Sequence, residues 1–359
     1  MPKFNSGDLL QFSQRLLAAS GIPAEHARLV AKLLVQADLR GYPGHGVTRI
    51  RPYLAWIEDG TIQLAQQAEI IREGKTTAVI DGHHYLGQVI VHDAMQLAIH
   101  KAREHGVGIV CIRRASHCGR LADYVEMAAD EGMIGAGAVS VGAGNTAPHG
   151  AMQRVTGTNP MAFGIPGSNR RHFILDFATS AMSMGEIQKR LARGETIPEG
   201  VLMDGHGKPT CDFVEFRGPP RGMFLPFGGY KGSGVALITE LLGGALTGNG
   251  LGRDWWEKGG HGVNGVFLQA IAVEEFQPLD EFTAKVDELA SFVKSRKPAP
   301  GFSEIFLPGE QGRRHEERQL RDGIEIDEGT WSDLIQLANN LNIELPQPIA
   351  SFAGTQARD

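Results

Sequence analysis

The chain has 359 residues, 42% hydrophobic and 21% charged, with a formal net charge of −6 and an isoelectric point near 6.1. That length suits two domains with a core of ordinary size, and the mild acidity lacks the basic stripe of a nucleic-acid protein while leaving room for a local basic pocket. Three cysteines, none in a CxxC pair, exclude a disulfide framework and fit a reducing compartment; with no apolar leader and no uncharged apolar run of roughly 18 residues, a cytoplasmic protein without a transmembrane helix is expected.

The first 60 residues read as helices. Ser6 is placed to cap a helix with apolar residues at Leu9, Phe12, Leu16 and Leu17, ended by Gly21. Pro23 suits the first turn of the next, whose stripe of Val30, Leu33, Leu34 and Ala37 runs to Gly41. A polar turn, Gly41-Tyr42-Pro43-Gly44-His45-Gly46, leads to a further amphipathic piece through Ile50, Leu54 and Ile57. From about residue 75 the pattern alternates. Strands are predicted at 76–81, 107–112, 134–141, 173–177 and 263–273, and helices at 92–104, 121–130, 233–246 and 280–294. Such alternation predicts an α/β domain. In the charged tail from about Glu304, Thr330 and Asp333 resemble a capping box opening a last helix over 331–341. The expected division is a helical domain from residues 1–74 with 304–359, and a mixed-sheet domain over 75–303.

The 47 glycines, spread through the middle of the chain, fit either a loop-rich α/β protein or close backbone approach to a ligand. Standard nucleotide motifs are missing. There is no Walker loop, and after Gly135-Ala136-Gly137 the third glycine of a GxGxxG fingerprint falls on Ser140. Thirteen histidines include no HExxH, and the adjacent His83-His84 pair suits a turn better than a metal. No GxSxG elbow is present.

Three glycine-rich turns carry reactive groups. His45 stands between two glycines, and Arg49 follows four residues later, on the same face if the segment turns helical. An imidazole exchanges protons near neutrality, and a guanidinium forks onto a carboxylate, so the pair suits an acid whose neighbouring carbonyl needs a proton. A capping histidine and a surface arginine are the plainer alternative. His117 lies in Ser116-His117-Cys118-Gly119-Arg120, a strand-to-helix turn that suits a phosphate, with Arg120 adding charge, or a simple cap at Ser116. Cys118 reads as a packed residue or a reactive thiol. Gly228-Gly229-Tyr230-Lys231-Gly232-Ser233-Gly234 reads as an anion loop ahead of an apolar helix.

Taken in order, several segments resemble the type-2 malate/L-lactate dehydrogenases, a family whose relatives include ureidoglycolate and sulfolactate dehydrogenases, diketogulonate reductase and piperideine-carboxylate reductase. They are Ala37-Asp38-Leu39-Arg40-Gly41 through His45-Gly46-Val47-Thr48-Arg49, Ser116-His117-Cys118-Gly119, and Gly157-Thr158-Asn159-Pro160-Met161-Ala162-Phe163-Gly164-Ile165-Pro166. Leu175-Asp176-Phe177-Ala178-Thr179-Ser180, Pro226-Phe227-Gly228-Gly229-Tyr230-Lys231-Gly232 and Phe306-Leu307-Pro308-Gly309-Glu310 follow. The likeness runs along nearly the whole chain.

The resemblance implies a non-Rossmann α/β fold: a mixed-sheet nucleotide domain plus a helical domain from both chain ends. It implies a homodimer or larger, with the active site near a subunit interface. It further implies hydride transfer between NAD or NADP and a small 2-hydroxy, 2-oxo or 2-imino acid. By similarity His45 donates the proton, Arg49 holds the carboxylate and Thr158 orients it. His117, Cys118, Gly119, Arg120, Leu121, Asp176, Phe177, Ala178, Lys231, Pro308, Gly309 and Glu310 hold the cofactor. In some relatives the position of His117 is assigned the acid/base role instead. Two departures stand out: Gly44 replaces a serine that can relay hydrogen bonds to the catalytic histidine, and Cys118 replaces a phenylalanine. The first leaves open a family member that binds NAD(P) but has lost catalysis. A metal-dependent hydrolase is the third reading.

Overall fold

The computed structural model describes residues 1–257 and 262–349. They fall into two compact units, Met1–Ala55 with the chain from Gly312, and Trp56–Gln311. Residues 56–74 and 304–311, which the sequence pattern groups with the terminal helices, therefore lie in the sheet unit.

The first unit is built on helices Ser6–Ala19 and Ala24–Leu39, whose stripes of Leu9, Phe12, Leu16, Leu17, Val30 and Leu34 are fully buried. Asn5, not Ser6, caps the first helix, accepting the Gly7 N–H at 2.8 Å. Pro23 is the N-cap of the second rather than a first-turn residue. Strands Lys3–Phe4 and Ile324–Glu325 pair antiparallel and tie the two ends of the chain together. Phe4 packs on Trp331, ring centroids 4.5 Å apart. The last helix, Glu328–Asn340, starts earlier than the Thr330–Asp333 spacing suggests, because Asp327 caps it by accepting the Thr330 N–H.

Helix Glu310–Asp322 has no counterpart in the sequence reading. Its only apolar residue is Leu320, so it carries no stripe. Polar contacts hold it instead. Glu316 accepts from Gln36 Nε2 at 2.8 Å and pairs with Arg40 at 2.5 Å. Gln319 donates to the Asp38 carbonyl at 2.8 Å, and His315 Nδ1 lies 3.0 Å from that of Leu39. These are last-turn carbonyls of helix Ala24–Leu39, which have no partner within the helix itself.

The second unit is a seven-stranded sheet. From edge to edge it runs Glu69–Glu73, Thr77–Asp81, Val107–Ala115, Asn264–Ala272, Met133–Val141, Met161–Ile165 and Phe173–Phe177. Only Thr77–Asp81 and Val107–Ala115 run parallel, joined by helix Gly87–His105; every other neighbouring pair is antiparallel. This mixed sheet bears out the non-Rossmann expectation, since a doubly wound nucleotide fold needs a mostly parallel one. Helix Tyr230–Glu240 loosens into a π-helical turn, Leu241–Ala245, where the sequence pattern predicts an uninterrupted helix over 233–246. A satellite cluster of Ile187, Ile197, Leu202, Phe216 and Phe224 packs beyond the sheet.

Asp81 closes the parallel pair and is 1% exposed. Its carboxylate accepts from Arg113 Nε at 2.7 Å and from Arg114 Nε and Nη2 at 2.8 and 2.6 Å. Burial alone would raise its pKa; hydrogen bonds from Arg114, the His83 amide and Arg113 outweigh that and hold it at about 2. His83 and His84 in the turn after Asp81 take positive φ of 47° and 59°, and Arg114, near the end of the neighbouring strand, takes 54°. Asp81→Asn leaves two partly exposed guanidiniums without their counter-charge. It is expected to destabilise the protein by about 2 kcal/mol, less than for a fully buried pair. The wild-type contribution should be whole above pH 3.8 and lost as pH falls through 2. Equal urea midpoints for variant and wild type at pH 7 would refute this.

Candidate active site

In the first unit, His45 and Arg49 sit on two successive short helical turns, Pro43–His45 and Val47–Arg49, joined by an extended Gly46. Both side chains are half-buried. The turns are anchored by Asp38, a residue missed by sequence reasoning. Its carboxylate, 5% exposed, accepts the Val47 N–H at 2.8 Å. The carboxylate lies so close to Gly46 that a Cβ there would stand 1.9 Å from Asp38 Oδ1, so any other residue would push the carboxylate out of place. A signal was present: an acid in the last turn of a helix opposes the macrodipole and needs a local reason. Arg49 Nε donates to the Gly44 carbonyl at 2.6 Å, tying the guanidinium to the backbone just before His45. Residue 44 thus serves through its main chain, with no hydroxyl to offer. Tyr42 is exposed, and its carbonyl accepts the His45 N–H at 2.9 Å.

In the second unit, the segments singled out from the sequence gather along strand Phe173–Phe177 and its continuation to Ser180. Asp176 accepts the Ala122 N–H at 2.8 Å, joining this strand to the turn at 117–121. The Pro308 carbonyl accepts the Ile174 N–H at 3.3 Å. The Thr158 carbonyl accepts both the Thr179 N–H (2.8 Å) and its hydroxyl (2.9 Å). Phe227, just before the glycine loop of Lys231, donates its N–H to Thr179 O at 3.1 Å and packs edge-on against Phe177. Gly228 and Gly229 take φ of 55° and 63°, and Lys231 is exposed in the first turn of its helix.

The turn at 117–121 differs from a free phosphate cradle. Helix Ala122–Asp130 begins there, and Asp176 takes its leading amides. The Arg120 guanidinium, 5% exposed, is bound to Asp123. Protein carboxyls therefore occupy this helix start. Cys118 is 4% exposed, and burial pushes its thiol up to about 12, which makes it a packing residue and not a nucleophile. His117 remains half-buried. Glu310 accepts the Leu307 N–H at 3.0 Å and pairs with Lys294 at 2.7 Å. No group of three metal-ligating side chains converges among the described residues.

Residues 4–335 match the model of the malate/L-lactate dehydrogenase family. Malate dehydrogenase of Pyrococcus horikoshii is 37% identical over 347 residues, covering 94% of each chain. L-sulfolactate dehydrogenase of Methanocaldococcus jannaschii is 38% identical over 337 residues, covering 92% of this chain and 94% of that one. Its solved structure aligns with a TM-score of 0.87 over 96% of this chain and 98% of that one, at 36% identity. Δ1-piperideine-2-carboxylate reductase from Pseudomonas syringae aligns with a TM-score of 0.82 at 28% identity, covering 94% and 100%.

The Asp176 carboxyl gives a measurable handle on this region. Desolvation by burial raises its pKa, the Ala122 amide and Arg120 only partly oppose that, and the result is about 6. A pKa raised in the fold adds stability below pH 3.8 that is lost as pH rises through 6. Asp176→Asn keeps an acceptor for Ala122 but removes the titration. Wild type should lose up to about 3 kcal/mol relative to this variant between pH 4 and 7. Parallel stability–pH curves from denaturant titrations would contradict it.

Proposed function

Because the chain belongs to the malate/L-lactate dehydrogenase family, we propose that it is an NAD(P)-dependent oxidoreductase that interconverts a small 2-hydroxy acid and its 2-oxo, or 2-imino, counterpart. The observation that carries this reading is the local pairing of His45 and Arg49. Arg49 bonds the Gly44 carbonyl beside His45, so a ring able to exchange protons and a fork able to bind a carboxylate stand on consecutive turns. That is the minimal equipment for a carbonyl beside a carboxylate. The names of relatives agree in chemistry: malate, sulfolactate, lactate and piperideine-2-carboxylate are all carboxylates bearing their reacting centre at the adjacent carbon.

Donor chemistry in the second unit fits a nicotinamide dinucleotide. Lys231 on its open glycine loop suits a phosphate, Asp176 suits a hydroxyl donor, and main-chain groups of 117–121, 176–178 and 308–310 complete the set. A bound nicotinamide supplies or accepts the hydride at the substrate's second carbon. His45 gives the proton to the oxygen or imine nitrogen and takes it back in the reverse direction. Arg49 holds the carboxylate, and Thr158 orients it. His117 is the competing acid/base. The active form is a homodimer or larger; Leu237, Ile238, Leu241 and Leu246, exposed along the Tyr230 helix and its π turn, suit cover by a second copy. No helix among the described residues is long and apolar enough to cross a membrane, and the described cysteines are all free, which fits the cytoplasm.

Gly44 favours a second reading, a protein that binds NAD(P) without turnover. A screen of NADH and NADPH oxidation with pyruvate, oxaloacetate, sulfopyruvate and a cyclic 2-imino acid separates the two. The proposal expects turnover with at least one. Cofactor binding with no turnover across the panel favours the second reading. His45→Ala should lower kcat at least about a hundredfold while leaving NAD(P)H affinity within about threefold. Unchanged kcat would exclude His45 as proton donor and turn attention to His117.

A further inference from the structure

Glu240 is a carboxyl group taken almost wholly out of water, 6% exposed, with no ion pair among the described residues. It ends helix Tyr230–Glu240, where the chain widens into the π turn Leu241–Ala245. The turn lies directly on the sheet because Gly243 has no side chain: a Cβ there would stand 2.3 Å from the Ser140 backbone nitrogen. This seats Glu240 against strand Met133–Val141, where it acts only as an acceptor. Oε2 takes hydrogen bonds from Asn159 Nδ2 at 2.6 Å and Ser140 Oγ at 3.1 Å, and Oε1 takes one from the Gly252 N–H. An apolar residue here would spare the cost of burying a charge-bearing group. What it would lose is direction.

That direction runs to Asn159. Asn159 is 0% exposed and holds a positive φ of 32°, a strained setting for a side-chain-bearing residue. Its amide is fixed at both ends, with Oδ1 accepting the Val141 N–H at 3.1 Å and Nδ2 bound to Glu240. The residue immediately before it is Thr158, whose carbonyl is in turn held by Thr179. The backbone of residue 158 is thus held from both sides, which fixes the direction of its Cα–Cβ bond. The same helix carries Lys231 on its first turn, and Thr179 continues the strand that carries Asp176.

We infer that Glu240 is a positioning residue which, through the Asn159 amide, sets the backbone of Thr158 and so the orientation of the substrate carboxylate. This rests on the substrate role proposed above for Thr158. The test is a hydrogen-bond swap in the full-length enzyme, reading KM and kcat with whichever 2-oxo acid of the panel wild type reduces, NADH affinity by fluorescence titration, and thermal midpoint. Glu240→Gln turns one acceptor into a donor and sets it against Asn159 or Gly252. It should raise KM about tenfold or more with NADH affinity within about threefold. The double variant E240Q/N159D restores the pattern between the two side chains: the introduced amide donates through its Nε2 to the new carboxylate, which still accepts from Val141, and accepts through its Oε1 from Gly252; the long 3.4 Å bond from residue 159 to the Ala236 carbonyl is given up. It should return KM to within about threefold of wild type. Thr158→Ala serves as the gauge. If T158A raises KM and E240Q does not, the inference falls while the role of Thr158 stands. If E240Q raises KM but the double variant recovers only the thermal midpoint, Glu240 is structural and the inference is overturned. If T158A leaves KM unchanged, the reading of Thr158 itself fails, and this inference with it.

Discussion

A carboxyl group removed from water must be met by donors, and this constraint shapes each loop that carries a proposed functional residue. Asp38 meets the Val47 amide and fixes the turns of His45 and Arg49. Asp81 meets Arg113 and Arg114 and closes the parallel strand pair. Asp176 meets the start of helix Ala122–Asp130 and joins it to the sheet edge. Glu240 meets Asn159, Ser140 and Gly252 and links the Lys231 helix to the loop of Thr158. The titrations of Asp81 and Asp176 are displaced in opposite directions. Asp81 faces two cations and stays ionised, whereas Asp176 faces mostly amides and is pushed up to about 6. Burial pushes both upward; two guanidiniums overcome it at Asp81, while amides and one more distant guanidinium do not at Asp176.

Close backbone approach is the second constraint. Gly46 admits the Asp38 carboxylate, and Gly243 admits the sheet. At these two positions glycine stands where a Cβ would displace a buried acceptor or a strand. Such contacts also make the sites intolerant of small changes, since an alanine at position 46 would meet the carboxylate at 1.9 Å.

Legibility from sequence followed the source of stability. Helices Ser6–Ala19 and Ala24–Leu39 and strand Asn264–Ala272 were readable because burial of an apolar stripe or run holds them. Helix Glu310–Asp322 was not, because side-chain bonds to distant carbonyls hold it and leave no periodic signal. Strand Glu69–Glu73 is exposed at all five positions, so an edge strand there had no alternation to show. The site behaved similarly. His45, Arg49 and Lys231 were visible as reactive groups beside glycines. The carboxyls that hold such loops were not, because Glu240 and Asn159 lie 81 positions apart and only the fold brings them together. Family resemblance supplied roles that spacing alone left open, Thr158 and Asp176 among them.

The proposed function requires a hydride to pass between a nicotinamide and the second carbon of a small carboxylic acid. The direct measurement is reduction of a 2-oxo acid with NADH, or NADPH, deuterated separately at each face of the nicotinamide C4, followed by NMR of the product. The account predicts deuterium bonded to carbon 2 of the hydroxy acid from one labelled face and none from the other. Cofactor oxidation that leaves carbon 2 carrying only protium from both labels would contradict it.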